Sequence, residues 1–263
     1  MIDFAPMALD SLSEDIDVFL IIFARVSGFI VTLPPLSGAS IPNMSKIMIS
    51  IAVSVLLFES GVAGTISYEE KMYAILIVRE AVLGLATGFV VYMAFSVFAL
   101  AGQLIDFQIG LSLASLLDPL TQIQMPITGN LLYLIMCVAL IRTGGLHALI
   151  AAMASSFSKI PAGEGVAALG EEAVLGAIGL LGEVIASGLR IAMPIVAAML
   201  IIDVVLGILV RTVPQMNVFV VGMPLKIIAG IIVLYLITPS LALAFKHVYN
   251  TMMGAVKVMA LSP

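Results

Sequence analysis

Twenty-five consecutive residues, Ala81 to Ile105, separate Glu80 from Asp106 without one charged side chain. A helix needs about 20 apolar residues to cross the hydrocarbon of a bilayer, so this run is long enough to span one. The rest of the chain is of the same kind. Of its residues 62% are hydrophobic and 10% charged, where soluble domains carry roughly a quarter charged. Unpaired backbone amides are costly in hydrocarbon, so a chain dissolved in a bilayer must be helical or a closed barrel. Long uncharged runs, without strand-like alternation, select helices. The sequence therefore predicts an all-α membrane protein.

Several function classes are disfavoured. A net charge of −5, with 11 Lys and Arg scattered singly, cannot build the basic face that nucleic acid demands. Cys137 is the only cysteine and lies in an apolar run, so no disulfide framework or thiolate metal site is expected. There is no P-loop, no dinucleotide-binding glycine turn and no His-x-x-x-His pair, and His147 and His247 stand apart in the sequence. The expectation is no enzyme, no cofactor and no metal site. Met1 to Asp17 holds five acids and no Lys or Arg, unlike the basic start of a secretory signal, so no cleavage is expected there.

Other apolar segments are shorter or interrupted. Val18 to Leu33 contains Arg25 and stops at Pro34 and Pro35, which cannot continue a helix. With Ile47 to Phe58 it predicts a hairpin bent at Pro34, Pro35 and Pro42. Within Ala81 to Ile105, Gly84, Gly88, Tyr92 and Ser96 recur every four residues, a stripe smooth enough at its glycines for another backbone to approach. Ile127 to Ile141 and Leu146 to Phe157 predict a second hairpin, broken at Arg142 to Gly145. Lys159 to Glu172, with Pro161, three glycines and three acids, reads as a polar linker. Beyond it, Ala173 to Val210 and Val218 to Phe245 predict a two-helix hairpin turning near Pro214, with Gly222 and Pro224 kinking or delaying the second helix.

Gly102 to Pro126 differs from all of these, because it mixes apolar side chains with amides and two acids. An amphipathic surface loop and an irregular segment lining a cavity are both open readings. Charges within or beside apolar runs are functional candidates by default: Arg25, Arg79, Glu80, Arg190, Asp203, Arg211 and Lys226. The open readings are a proton relay through Glu80 or Asp203 and structural roles: pairs across helix or subunit contacts, snorkelling to the interface, or a place outside the hydrocarbon. Asp203 and Arg211 share a helix face without touching.

Two blocks of residues resemble the FliR family of the flagellar type III export gate. The first is Gly88-Phe89, Phe95, Ala101-Gly102, Gln108 through Ser112, Asp118-Pro119 and Met125-Pro126. The second is Met193-Pro194, Asp203, Leu206-Gly207, Arg211, Pro214-Gln215, Val218-Phe219 and Gly222 through Leu225. Arg25, Pro34, Pro42 and Lys46 fit the family's opening, so the resemblance covers about Arg25 to Leu243. Gly144-Gly145-Leu146-His147 departs from the expected glycine-histidine pattern.

The resemblance implies a multi-pass subunit of the bacterial inner membrane, in the flagellar basal body. It would join FliP and FliQ chains, and FlhB and FlhA, in an assembly that exports unfolded flagellar proteins; virulence secretion systems use a homologous part. It implies a FliP-like part over 1–158, the linker over 159–172 and a FliQ-like hairpin over 173–263. A pore plug would map to Asp106 through Gln122, with Gly102, Asp106, Gln108, Gly110, Leu111, Ser112, Leu113, Asp118, Pro119 and Gln122 as its residues. Pro214, Gln215, Gly222 and Pro224 would serve the turn and partner contact. Hydropathy gives six spans, but the family packs many helices into a ring partly outside the bilayer. The competing reading is a small-molecule or ion transporter with a midplane site at Glu80 and Asp203.

Overall fold

The computed structural model describes residues 4–38, 41–62, 73–112, 126–163, 171–212 and 218–261, with side chains for fewer of them near the helix ends at 4–14, 171–174, 218–219 and 260–261. Among the described residues there are helices and no strands: α1 (Phe4–Thr32), α2 (Pro34–Ser37), α3 (Asn43–Glu59), α4 (Tyr73–Ile109), α5 (Ile127–Arg142), α6 (Gly145–Lys159), α7 (Glu171–Thr212), α8 (Val218–Leu236) and α9 (Thr238–Leu261). The chain is an all-α membrane protein. Two of these helices, at Tyr73–Ile109 and Leu175–Thr212, are long and apolar enough to cross a bilayer, or up to four spans if α5 with α6 and α8 with α9 each count as one. That is fewer than the six of a hydropathy count, because several apolar runs are short or broken.

Proline sets the breaks. Leu33 sits at φ −66°, ψ 115°, the extended backbone required of a residue before proline, and this ends α1. Pro34 and Pro35 open α2, where a missing amide costs nothing. Pro42 stands before α3 in the same way. The helix expected over Val218 to Phe245 is instead two. Pro239, in the first turn of α9, cannot donate to Tyr235, and α8 and α9 meet at a bend of 62°. Gly222 and Pro224 lie inside α8 and do not delay its start. Pro194 is likewise carried within α7.

The helices form two compact units, each discontinuous in sequence: residues 1–93, 143–180 and 251–263 in the first, 94–142 and 181–250 in the second. In the first unit α1 packs on α3, with Phe19 edge-on to Phe58 at 6.3 Å between ring centroids. Ser50 and Ser54, both buried on α3, return their hydroxyl protons to the carbonyls of Lys46 and Ser50 at 2.8 and 2.7 Å. No buried donor is left open there, and the helix can turn a polar stripe inward.

The α1–α4 crossing of the first unit is glycine-built. A Cβ on Gly28 would meet the Ala81 carbonyl oxygen at 2.5 Å, and one on Gly84 or Gly88 would collide with the Arg25 carbonyl or the Thr32 hydroxyl. The expected glycine stripe on α4 is therefore a backbone-to-backbone contact. In the second unit Phe95 lies edge-on to Tyr133 at 5.6 Å and Phe98 against Phe245 at 4.6 Å, joining α4 to α5 and α9. Gly102 of α4 abuts Gly129 of α5 so closely that no side chain fits between them.

Most of the apolar length of α4 is buried by the rest of the chain, whereas that of α7 is largely exposed. Ile178, Ile185, Met193 and Ile201 of α7 are each more than half exposed.

Candidate functional site: buried charge pairs and the end of α4

Arg25 has no solvent exposure, and neither does Glu80. Helix α1 carries the guanidinium across the glycine-lined crossing to α4, where its Nε donates to Glu80 Oε2 and its Nη2 to Oε1 at 3.0 Å. The other guanidinium protons go to Ser156 Oγ at 3.2 Å, the Ile160 carbonyl at 3.0 Å and the Pro161 carbonyl at 3.4 Å. The group lies 4.0 Å from the centre of the Phe157 ring, a cation–π contact. Glu80 Oε1 also accepts the Gly163 amide at 2.8 Å. Arg25 and Glu80, both expected as intramembrane charges, thus neutralise each other and hold the end of α6 and the start of the linker. Sequence distance hid the pairing; Arg79, next to Glu80 but on another helix face, is only half-buried.

In the second unit α4 runs to Ile109, four residues into the segment expected to begin a loop at Asp106. Gly102, Asp106 and Gln108 are therefore helical. Asp106, 2% exposed, accepts the Thr128 amide at 3.0 Å on Oδ2 and at 3.3 Å on Oδ1, and takes the Thr128 hydroxyl on Oδ1. A carboxylate at the first turn of α5 satisfies an amide that the helix itself cannot pair, and the helix dipole favours it.

Two residues on, Gln108 Nε2 donates to Asp203 Oδ2 of α7 at 3.2 Å, and Lys226 Nζ of α8 reaches Asp203 Oδ1 at 2.7 Å. Asp203 finds its partner on α8, not in Arg211, which is exposed near the end of α7. Ile109 fills the notch at Gly230 of α8, where a Cβ would fall 2.6 Å from its side chain. Gly110 then takes φ +94°, a conformation natural only to glycine, and ends α4. Leu111 and Ser112 follow, half-buried.

A third cluster centres on Glu183 of α7. Its Oε1 accepts from Ser187 at 2.9 Å and Arg190 at 3.3 Å, and lies 3.1 Å from His247 Nε2 of α9. His247, isolated in the sequence, is brought to a carboxylate by the bend at Ile237. Gly222 is buried and Pro224 exposed on α8. Leu113, Asp118, Pro119, Gln122, Pro214 and Gln215 lie outside the described residues. Among the described residues no group of three metal-ligating side chains comes together.

Residues 16–252 match the family described as bacterial export proteins, family 1. The chain is 31% identical to the flagellar biosynthetic protein FliR of Bacillus subtilis over 244 residues, covering 92% of this chain and 94% of that one. It is 27% identical to FliR of Escherichia coli over 86% of each chain. It is 26% identical to the surface presentation of antigens protein SpaR of Shigella sonnei, over 88% of this chain and 90% of that one. Matched along nearly all of its length, and carrying two signature blocks in order, the chain belongs to the bacterial export proteins of family 1, the FliR family.

Proposed function

We propose that the chain is a structural and gating subunit of the flagellar type III protein export gate in the bacterial inner membrane. It assembles there with FliP and FliQ, beside FlhA and FlhB, around the path of unfolded flagellar subunits. The observation that carries this reading is the family match over residues 16–252, with 92% of the chain aligned to a flagellar biosynthetic protein. The surface of α7 supports it. Apolar side chains stand exposed there beside Glu183, Arg190 and Asp203, a mixture better covered by other protein chains than by lipid alone. Residues 1–158 form the FliP-like part and 173–263 the FliQ-like hairpin, joined through 159–172.

The plug runs from Asp106 to Gln122, its amino-terminal turn being the end of α4. In support of this reading, Asp106 accepts the Thr128 amide and so holds the last turn of α4 beside the first turn of α5.

A transporter with a midplane site at Glu80 and Asp203 is disfavoured by the same contacts. Glu80 is sealed from solvent with both oxygens bound by Arg25 and Gly163, and Asp203 is held by Lys226 and Gln108. The test is loss of the chain in a flagellated bacterium. Flagellar subunits should disappear from the medium and return with the restored gene; undiminished secretion would contradict the proposal.

A further inference from the structure

Helix α6 ends where Pro161 has no amide to continue it. Ile160 is extended there, at φ −114° and ψ 91°, as a residue before proline tends to be. Its carbonyl and that of Pro161 lie beyond the helix, and both accept from the Arg25 guanidinium, at 3.0 and 3.4 Å. Gly163 then adopts φ +102° and donates its amide to Glu80 Oε1 at 2.8 Å. Ile160 and Ala162 are buried, while Pro161 and Lys159, the last residue of α6, are exposed. A short stretch of backbone is thus tied by both ends to one buried ion pair.

We propose that residues 160–163 are a latch clasped by the Arg25–Glu80 pair, one that opens locally while the pair itself stays closed. The two kinds of contact differ in strength. Parting Arg25 from Glu80 would strand two charges in a place sealed from solvent. Releasing 160–163 only exchanges bonds to two carbonyls and one amide for bonds to water. Local opening therefore frees the segment from the pair before it parts α1 from α4. Every residue of the clasp lies in the first unit. Opening adds residues 160–163, up to about 14 Å of reach, to the connection from α6 to α7. That is slack for α7 to take up as other chains cover it.

Trypsin reads the latch, because cleavage after Lys159 requires Ile160 and the residues beyond it to leave their places. The full chain in detergent is digested, and the fragment beginning at Ile160 is followed by mass spectrometry. Gly163→Ala leaves both charges in place but forces a side chain into φ +102°. It should speed this cleavage by about tenfold and leave cleavage after Arg79, inside α4, unchanged. Arg25→Lys keeps a cation for Glu80 but loses the fork that reaches both carbonyls, and should also speed the cut after Lys159. A Gly163→Ala protein cleaved there at the parent's rate would overturn the latch. Equal acceleration after Arg79 would overturn it too, by showing general loosening. Hydrogen exchange of the parent decides without any variant. The Gly163 amide should exchange at least about tenfold more slowly than in free peptide, given its bond to a carboxylate, yet faster than the α4 amides from Gly84 to Gly88. Exchange at the free rate would mean that no clasp exists, and exchange in step with α4 would mean that segment and pair open only together.

Discussion

Arg25 and Glu80, 55 residues apart on α1 and α4, form a two-point ion pair from which solvent is fully excluded on both sides. Removing one partner strands a buried charge, which costs about 3–5 kcal/mol, whereas replacing both by apolar groups is far milder. Glu80→Leu should therefore lower the melting temperature or membrane abundance of the protein more than the double variant Arg25→Met with Glu80→Leu. Equal loss in the two would mean that the pair's hydrogen bonds to Ile160, Pro161 and Gly163 outweigh its charge.

Gly84→Ala should destabilise the protein by about 1–3 kcal/mol, because the added methyl meets the Arg25 backbone carbonyl and not a side chain that could move aside. Gly179→Ala is the matched control, since it lies inside α7 with open space where the methyl would go. It should be neutral or slightly stabilising by helix propensity. Thermal unfolding in detergent would read both.

Much of this arrangement is visible in the sequence, for stated reasons. Proline placed the breaks at Pro34 and Pro42, and the glycine spacing on α4 announced a close helix crossing. Both are local signals. The pairs Arg25–Glu80, Asp106–Thr128 and Asp203–Lys226 are not, since each joins two different helices and a single sequence carries no record of which face meets which. The end of α4 is hidden for a related reason. Asp106 and Gln108 read as loop chemistry, but tertiary partners satisfy both of them on a helix. The bend at Ile237 is hidden because Pro239 follows an unbroken apolar run that looks like one helix.

Asp106→Leu should cost about 1–3 kcal/mol by leaving the Thr128 amide buried and unpaired, and Asp106→Asn less, because one acceptor oxygen remains. Hydrogen exchange at the first turn of α5 would report it directly. Faster exchange confined to that turn is the expected result, and unchanged protection would remove Asp106 from its role as the tie between α4 and α5.

Photocrosslinkers placed at the exposed positions Ile178, Ile185 and Ile201 of α7 should capture neighbouring proteins in the assembled complex. The same probes on the chain expressed alone should label lipid. Lipid adducts in both states would mean that these positions are bilayer-exposed and not subunit contacts.

The central claim is that this chain works as one part of a multi-protein gate, and native mass spectrometry of the gently solubilised complex, with all export-gate subunits co-expressed, tests it most directly. The account predicts particles in which this chain is joined to unlike small membrane proteins of the FliP and FliQ kind. Finding only monomers or homo-oligomers under those conditions would contradict it.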